Sequence, residues 1–399
     1  MNTSEDYRRA EIVVDLSAIQ RNVEHLCEAV AAHSDGPAVM VVVKADGYGH
    51  GMFGSARAAR AGGATWLGVA DRDEALDLRA DGDTGRILAW LAMPGEDFGP
   101  LIEGDIDVAA YSVAQLEEIV AAAVKLGRPA RVHLKVDTGL SRGGAPLASW
   151  AALVAAARTA EVDGHVSVTG IWSHLACSDE PEHPANDEQE EAFASALEVA
   201  EEAGLAPEVR HLSNSAAALL RPSAWYDLVR FGIAAYGLSP APKVVHVEDL
   251  DLVPAMTVRA RAALTKDLAV GDGVSYGHTY VADRPLRVAL VPLGYADGVP
   301  RHASSPEQGS DLPLTQVHTR GHRGSVLGRI CMDQFVAEVP RGTVAGDEVV
   351  LFGTGAGGEP TAQDWADWCG TISYEIVTRI GGNAGRAERR WTDDDGTLV

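Results

Sequence analysis

Up to about Leu250 the chain alternates two hydrophobic patterns. Short apolar runs stand at 40–44, 65–70, 87–92, 107–111, 131–136, 166–172, 208–212 and 227–231. Between them lie Ala/Leu/Glu-rich segments, among them 52–62, 72–80, 113–126, 147–160, 187–204 and 215–220, whose apolar positions recur at helical spacing. The run Met40-Val41-Val42-Val43 is apolar on both faces, as a strand in a covered parallel sheet must be. Eight strands each followed by a helix predict an α/β fold, a closed parallel (β/α)8 barrel of the TIM type. An open doubly wound sheet shares that alternation, because spacing does not record strand order. Beyond Leu250 the runs become MTVRARAAL, LRVALVPL, SVLGRICMDQFVAEV and DEVVLF, punctuated by VGDG and VAGD. They predict a barrel over 12–249 followed by a mostly β domain over 250–399, with a helix near 361–368 ahead of Thr371 to Ile380. The strand Ala10 to Val14, inside the segment 1–15, precedes the barrel and is free to pair with the second domain.

Charge narrows the choice of partners. Asp and Glu outnumber Lys and Arg by 57 to 33, a net charge of -24, which disfavours nucleic acid and anionic membranes. No run approaches the ~18 apolar residues of a membrane span. The N-terminal stretch MNTSEDYRRAEIVVDLSAIQ is charged and has no signal-peptide core. Cys27, Cys177, Cys331 and Cys369 lie far apart and form no CxxC, which reads as reduced thiols rather than a disulfide framework or zinc site. Together these features place the protein in the cytoplasm.

In such a barrel the chemistry stands at the C-terminal ends of the strands. The first strand ends in Lys44, before the glycine-rich loop Ala45 to Gly51. Burial lowers a lysine's pKa, and an amine that sheds its proton can form an imine with an aldehyde. A lysine snorkelling out of a strand end is the plain alternative. The fifth strand carries His133, Lys135 and Asp137 and leads to Arg142; the sixth leads to Trp172-Ser173-His174. The seventh leads to Ser213-Asn214-Ser215, and the eighth runs through Arg230 into Gly232-Ile233. Loops after strands seven and eight often bind phosphate. Asn214-Ser215 opens a helix, whose N-terminus presents N–H groups to an anion, and Gly232 permits close backbone approach. Simple N-capping by Ser213 or Ser215 is the competing explanation. An imine-forming lysine beside a phosphate site suggests pyridoxal phosphate.

At this point nine separated motifs resemble, in order, those of the alanine racemase family: VVVKADGYGHG, HLKVDTGLSR, WSHLA, LSNSAA, VRFGIAAYG, SYGHTY, GYADG, GRICMDQ and TISYE. The resemblance implies a pyridoxal phosphate enzyme that interconverts L- and D-alanine with two bases. Lys44 would hold the cofactor through an imine and act as one base, and Tyr276 would be the other. Arg230 would meet the pyridine nitrogen, and an arginine keeps its proton, so that nitrogen stays unprotonated. Tyr48, Ser215, Gly232, Ile233 and Tyr374 would hold the phosphate, with Trp90, His174 and Asn214 also against the cofactor. Arg142, Met332 and Tyr295 would contact the substrate. Lys135, as a carbamate orienting Arg142, and Asp333 would give structural support. No metal is implied. A homodimer sharing its active sites between chains, and a role in supplying D-alanine for peptidoglycan precursors, follow from the same resemblance.

Two positions depart from the family pattern: Gly47, where alanine is usual, and Ser141, where glycine is usual beside Arg142. Gly353 to Gly358 matches GxGxxG but stands among strands and reads as a turn. His174, Cys177, Asp179 and His183 fit no zinc spacing. Three other readings stay open: a racemase of serine or other small amino acids, a pyridoxal phosphate decarboxylase, and a non-catalytic carrier of the cofactor. The decarboxylases usually set a carboxylate, not an arginine, against the ring nitrogen. The carriers lack a second domain.

Overall fold

The computed structural model describes residues 8–32, 36–305, 313–382, 385–393 and 396–398. The first seven residues, part of the stretch read as lacking a signal peptide, lie outside them. The chain begins with β1 (Ala10–Asp15) and a helix, Leu16–Ala31, then enters the barrel. Barrel strands are β2 (Ala38–Val42), β3 (Trp66–Val69), β4 (Arg86–Ala89), β5 (Asp107–Ala110) and β6 (Ala130–Asp137). After a short strand β7 (Ala145–Pro146) at the end of β6 come β8 (Val166–Trp172), β9 (Val209–His211) and β10 (Leu228–Phe231). The order is β10-β2-β3-β4-β5-β6-β8-β9, all parallel. Bonds from Asp227 N to Arg210 O (3.0 Å) and from Arg230 N to Ser213 O (3.2 Å) join the last strand to its neighbour and close the ring. An open doubly wound sheet is therefore excluded. The apolar runs fall on these strands because a barrel strand is covered by side chains inside and helices outside.

One boundary differs from the sequence reading in a way that matters for chemistry. The first barrel strand ends at Val42, and Lys44 opens the turn that follows it. Ala45, Asp46, Gly47 and Tyr48 all take left-handed backbone angles, with φ of 51°, 53°, 62° and 53°. Such a conformation costs roughly 1–2 kcal/mol per residue other than glycine, so surrounding bonds must hold it. Glu74 accepts from Ala45 N (2.6 Å), Asp46 accepts from Met52 N (2.9 Å) and from Arg389, and Trp391 Nε1 donates to His50 O (2.9 Å). Gly47 is thus accounted for: it removes the strain at one of the four positions.

The helix Leu16–Ala31 was not among the segments expected from the pattern. Asp15 caps it by accepting from Ala18 N, and Ile19, Val23, Leu26 and Val30 form its buried stripe.

The second domain is a nine-stranded sheet ordered β12-β15-β18-β17-β16-β19-β11-β1-β20. Its strands are β11 (Met256–Arg261), β12 (Leu264–Leu268), β15 (Leu286–Val291), β16 (Gln316–Thr319), β17 (His322–Leu327), β18 (Phe335–Glu338), β19 (Glu348–Phe352) and β20 (Ala387–Thr392), with the hairpin of β13 (Gly273–Val274) and β14 (Tyr280–Val281) apart. β1 lies antiparallel to β11 and parallel to β20. The first described strand therefore belongs to the second sheet, and one apolar core runs from there through the helix Leu16–Ala31 into the barrel. The helices Ala362–Cys369 and Ser373–Arg379 return the chain to the barrel mouth. Gly353 to Gly358 forms a turn after β19, and Glu359 takes up its amide at Gly355 (2.9 Å). No helix among the described residues is long and apolar enough to cross a membrane.

Candidate active site

The C-terminal rim of the barrel opens into a cleft of about 1720 Å³, roofed by the second domain. Lys44, Tyr48, Trp90, Lys135 and Arg142 line it from the first, third and fifth barrel strands and their loops. His174, Asn214, Ser215, Arg230, Gly232 and Ile233 line it from the last three. Tyr374 reaches it from the helix Ser373–Arg379. Twelve of the residues singled out in the sequence thus share one space.

Lys44 stands over Trp90, its Nζ 5.7 Å from the ring centroid. Gly68 makes room for that indole, since a Cβ there would meet Trp90 Cζ3 at 2.7 Å. Burial, then the Arg142 charge, push the Lys44 amine below its ordinary pKa, and Glu74 opposes them. A lysine shifted this way offers its lone pair more readily. Lys135 Nζ lies 4.3 Å from the Trp172 centroid and is pushed down to about 8 by burial and by the Arg230 and Arg142 charges. Ser141, beside Arg142, has φ of 56° and donates its N–H to Asp137 Oδ1 (3.0 Å). The departure from glycine is accommodated by that bond.

Arg230 is deeply buried inside the barrel mouth. Its Nη1 donates to His211 Nδ1 (3.0 Å), and its Nη2 faces Ser173 O (3.0 Å), Leu212 O (3.0 Å) and His174 Nδ1 (3.2 Å). Burial lowers it to about 9, still above neutral, so it stays cationic. Burial, then the charges of Arg230, Arg142, Lys135 and Lys44, hold His174 well below its ordinary pKa, so it is a neutral ring.

At the other end of the cleft Ser215 Oγ accepts from Gly232 N (2.7 Å). A Cβ at Gly232 would meet Tyr48 Oη at 2.5 Å, so only glycine lets that hydroxyl approach the backbone. Tyr48 stacks on Tyr236 (5.1 Å) and tilts against Tyr374 (6.2 Å). Burial raises both Tyr48, to about 12, and Tyr374, so both remain O–H donors. The helix at Ser215 is capped by Asn214, whose Oδ1 receives Ala217 N (3.1 Å) and Ser178 Oγ (2.8 Å). Ser213 Oγ instead donates to Ala224 O (2.6 Å). Capping by Ser213 or Ser215, the competing explanation for that sequence, is thereby replaced, and Ser215 keeps its hydroxyl in the cleft. A lysine amine of lowered pKa, neutral hydroxyl and amide donors and a cationic guanidinium lining one cleft suit an aldehyde, a phosphate and a ring nitrogen; the residues fit pyridoxal phosphate.

The remaining predicted residues are not in this cleft. Tyr276, Met332 and Tyr295 are 72%, 53% and 39% exposed. Backbone bonds from Tyr295 N to Cys331 O (3.1 Å) and from Ala296 N to Met332 O (3.0 Å) set the latter two side by side. Ser275 Oγ donates to Arg329 O (2.7 Å) and lies 3.3 Å from Cys331 Sγ, which ties Tyr276 to the same patch. Asp333 receives Arg386 Nη1 (2.5 Å) beneath it, and Arg386 Nε also holds the buried Asp297 (2.7 Å). Sequence reasoning named Trp172 only as the end of the sixth strand and did not single out His211 or Glu74; His211 is marked only by inward alternation along its strand, and Glu74 by nothing local.

The order of residues and the geometry agree with what similar proteins are. The family profile "Alanine racemase, N-terminal domain" matches residues 14–240, and "Alanine racemase, C-terminal domain" matches 255–388. The chain belongs to the alanine racemase family. Alanine racemases are isomerases, so the protein is an enzyme of that class. The alanine racemase of Salinispora arenicola is 53% identical over 374 residues, covering 94% of this chain and 96% of that protein. That of Thermobifida fusca is 53% identical over 93% of this chain and 96% of its own. The crystal structure of alanine racemase from D-cycloserine-producing Streptomyces lavendulae superposes with a TM-score of 0.91 at 48% identity, covering 97% of this chain and 98% of that one.

Proposed function

We propose that the protein racemises alanine with pyridoxal phosphate, using Lys44 and the partner subunit's Tyr276 as opposed bases in a homodimer. The observation that carries this reading is the cleft itself: Lys44, with its lowered amine pKa, shares it with the hydroxyls of Ser215, Tyr48 and Tyr374. Support for the substrate comes from the relatives, one of which, from Bacillus anthracis, was solved with bound L-Ala-P. When bound, pyridoxal phosphate supplies an aldehyde carbon and an electron-withdrawing ring that acidifies an amino acid's α-proton. Lys44 Nζ takes or returns that proton on one face of the α-carbon, and a phenol oxygen serves the other. Arg142 pairs with the substrate carboxylate. Ser215, Tyr48, Tyr374 and the backbone N–H groups of Gly232 and Ile233 hold the phosphate, with Trp90 and His174 against the cofactor. Arg230 meets the ring nitrogen as a donor that keeps its proton, which restrains electron withdrawal and favours prompt return of the proton to carbon. Lys135, with its pKa near 8, is the amine suited to bind carbon dioxide as a carbamate beside Arg142.

The exposed patch of Tyr276, Tyr295 and Met332 supplies the second base and substrate contacts to the partner's cleft, which explains aromatic and thioether groups left in water. Supply of D-alanine for peptidoglycan is the matching role, and unpaired thiols at Cys27, Cys177, Cys331 and Cys369 suit the reducing cytoplasm. Borohydride reduction followed by peptide mass mapping tests the cofactor assignment. A pyridoxyl adduct on the Lys44 peptide, with D-alanine formed from L-alanine, is the expected outcome. An adduct elsewhere, or α-proton exchange without the opposite enantiomer, contradicts it.

A further inference from the structure

Below the cleft, a line of buried polar groups runs through the barrel interior from Arg230 to Asp107. Arg230 Nη1 lies 3.0 Å from His211 Nδ1. His211 Nε2 lies 2.9 Å from His133 Nδ1. His133 Nε2 faces Asp107 Oδ1 at 3.4 Å, a long ion-pair contact, and has no hydrogen-bond partner of ordinary geometry. All four residues are buried. Asp107 is also gripped by Arg86 Nη2 (2.7 Å), Arg131 Nε (2.8 Å) and Thr169 Oγ1 (2.9 Å). Burial works to raise its pKa, but the bonds from His133 and Arg86 and the Arg131 charge outweigh that, so it is a carboxylate.

The direction of every bond in this line follows from one fact. An arginine only donates. His211 Nδ1 must therefore accept, and its proton sits on Nε2. Burial and the Arg230 charge keep His211 neutral. His211 Nε2–H then donates to His133 Nδ1, and the His133 proton is forced to Nε2, facing the carboxylate. Each imidazole is polarised by the next group, and such chains strengthen cooperatively in a dry interior.

The fold makes specific room for the line. The pairing of β6 with β8 shifts register between Val132 and His133. Gly170 stands opposite, and a Cβ there would meet His133 Nδ1 at 2.2 Å. Trp66 meets the His133 ring edge-on at 5.4 Å, and Trp172 stacks on His211 at 5.3 Å and 7°. A bulge, a glycine and two indoles around two imidazoles exceed what packing requires, since apolar side chains would fill a barrel layer more simply.

We infer that His133 and Asp107 are positioning residues that act through His211 on Arg230, fixing the face and proton arrangement with which the guanidinium meets a cofactor's ring nitrogen. The inference rests on the proposed pyridoxal phosphate site. Neither residue touches the cleft.

Two measurements test it. The first is nitrogen-15 NMR of the wild-type holoenzyme labelled at histidine. His211 is expected as a neutral ring protonated at Nε2, and His133 with an unprotonated Nδ1 that accepts from it. A proton on Nδ1 of His211 overturns the inference without any variant. The second compares binding of pyridoxal phosphate with binding of its carba analogue, in which C–H replaces the ring nitrogen. The His133→Leu variant should narrow the wild-type preference for the nitrogen-bearing cofactor by about fivefold, the worth of one ordinary hydrogen bond. His133→Gln, which can accept from His211 and donate to Asp107, should restore it. Equal loss of both ligands in His133→Leu marks a merely structural role and overturns the inference. If wild-type protein binds neither compound, the cofactor reading is what fails, and the histidine tautomers still decide whether the line exists.

Discussion

The barrel mouth and the Tyr276 patch carry candidate bases in opposite settings. Lys44 is desolvated, set over an indole and anchored by a strained turn that the C-terminal strand clamps through Arg389 and Trp391. Tyr276 stands in water at the tip of a hairpin, tied to the second domain through its neighbour Ser275. The contrast teaches that one chain encloses the proposed cofactor site but leaves Tyr276, the proposed second base, facing outward. Burial sets the proposed chemistry in the first region; in the proposed dimer, assembly sets it in the second.

The comparison breaks most sharply at Lys44. Lys44→Ala should lower racemisation by on the order of 10⁴ or more, because it removes a base and an anchor together; the readout is D-alanine formation together with loss of the borohydride adduct. Tyr276→Phe should cost about 10²–10⁴ in kcat with a change in unfolding free energy within roughly 0.5 kcal/mol, as expected for an exposed side chain. A large loss of stability in that variant would contradict the account of the patch.

Arg230→Met sharpens the buried half. It strands His211 Nδ1 and the carbonyls of Ser173 and Leu212, and should destabilise the fold by about 1–3 kcal/mol in chemical denaturation, the cost of buried acceptors left without a donor. Lys135 gives a pH signature. Its pKa falls from the ordinary 10.5 to about 8, so between those values the unfolded chain holds a proton that the native chain has released. Stability relative to Lys135→Met should therefore rise with pH across that window, by on the order of 3 kcal/mol in all, and be flat below it. Denaturation in bicarbonate-free buffer at several pH values checks this. The smallest effect belongs to Gly47→Ala, at about 1 kcal/mol, since the turn is left-handed there and the new methyl would meet Ser55 Oγ at 2.8 Å, with Ser55 Cβ at 3.2 Å and Met52 N at 3.3 Å.

Regular periodicity carried most of the barrel into view from sequence. A strand buried on both faces must be apolar, so eight such runs were visible, and residues at their ends pointed to Lys44, Arg230 and Ser215. The helix Leu16–Ala31 carries the same kind of signal in Asp15 and its stripe of Ile19, Val23, Leu26 and Val30, but stands before the first repeat. The left-handed turn at Ala45 to Tyr48 was hidden, because three of its residues have side chains that ordinarily avoid that conformation and are held by distant partners, Glu74 and Arg389. The same holds for the line from His211 to Asp107, which joins residues far apart in sequence, whereas the cap at Asn214 is a local bond to Ala217 N that Ser178 supports from a distance. Gly47 and Ser141, odd by family pattern, make sense only once their positive φ is seen.

The most direct test of a site divided between chains is subunit mixing. Lys44→Ala and Tyr276→Ala homodimers, each inactive, are unfolded together, refolded and assayed. Shared sites predict recovery of about one quarter of wild-type activity, since half of the dimers are mixed and one of their two sites is intact. Recovery indistinguishable from zero, with mixed dimers demonstrated by mass spectrometry, would contradict the account.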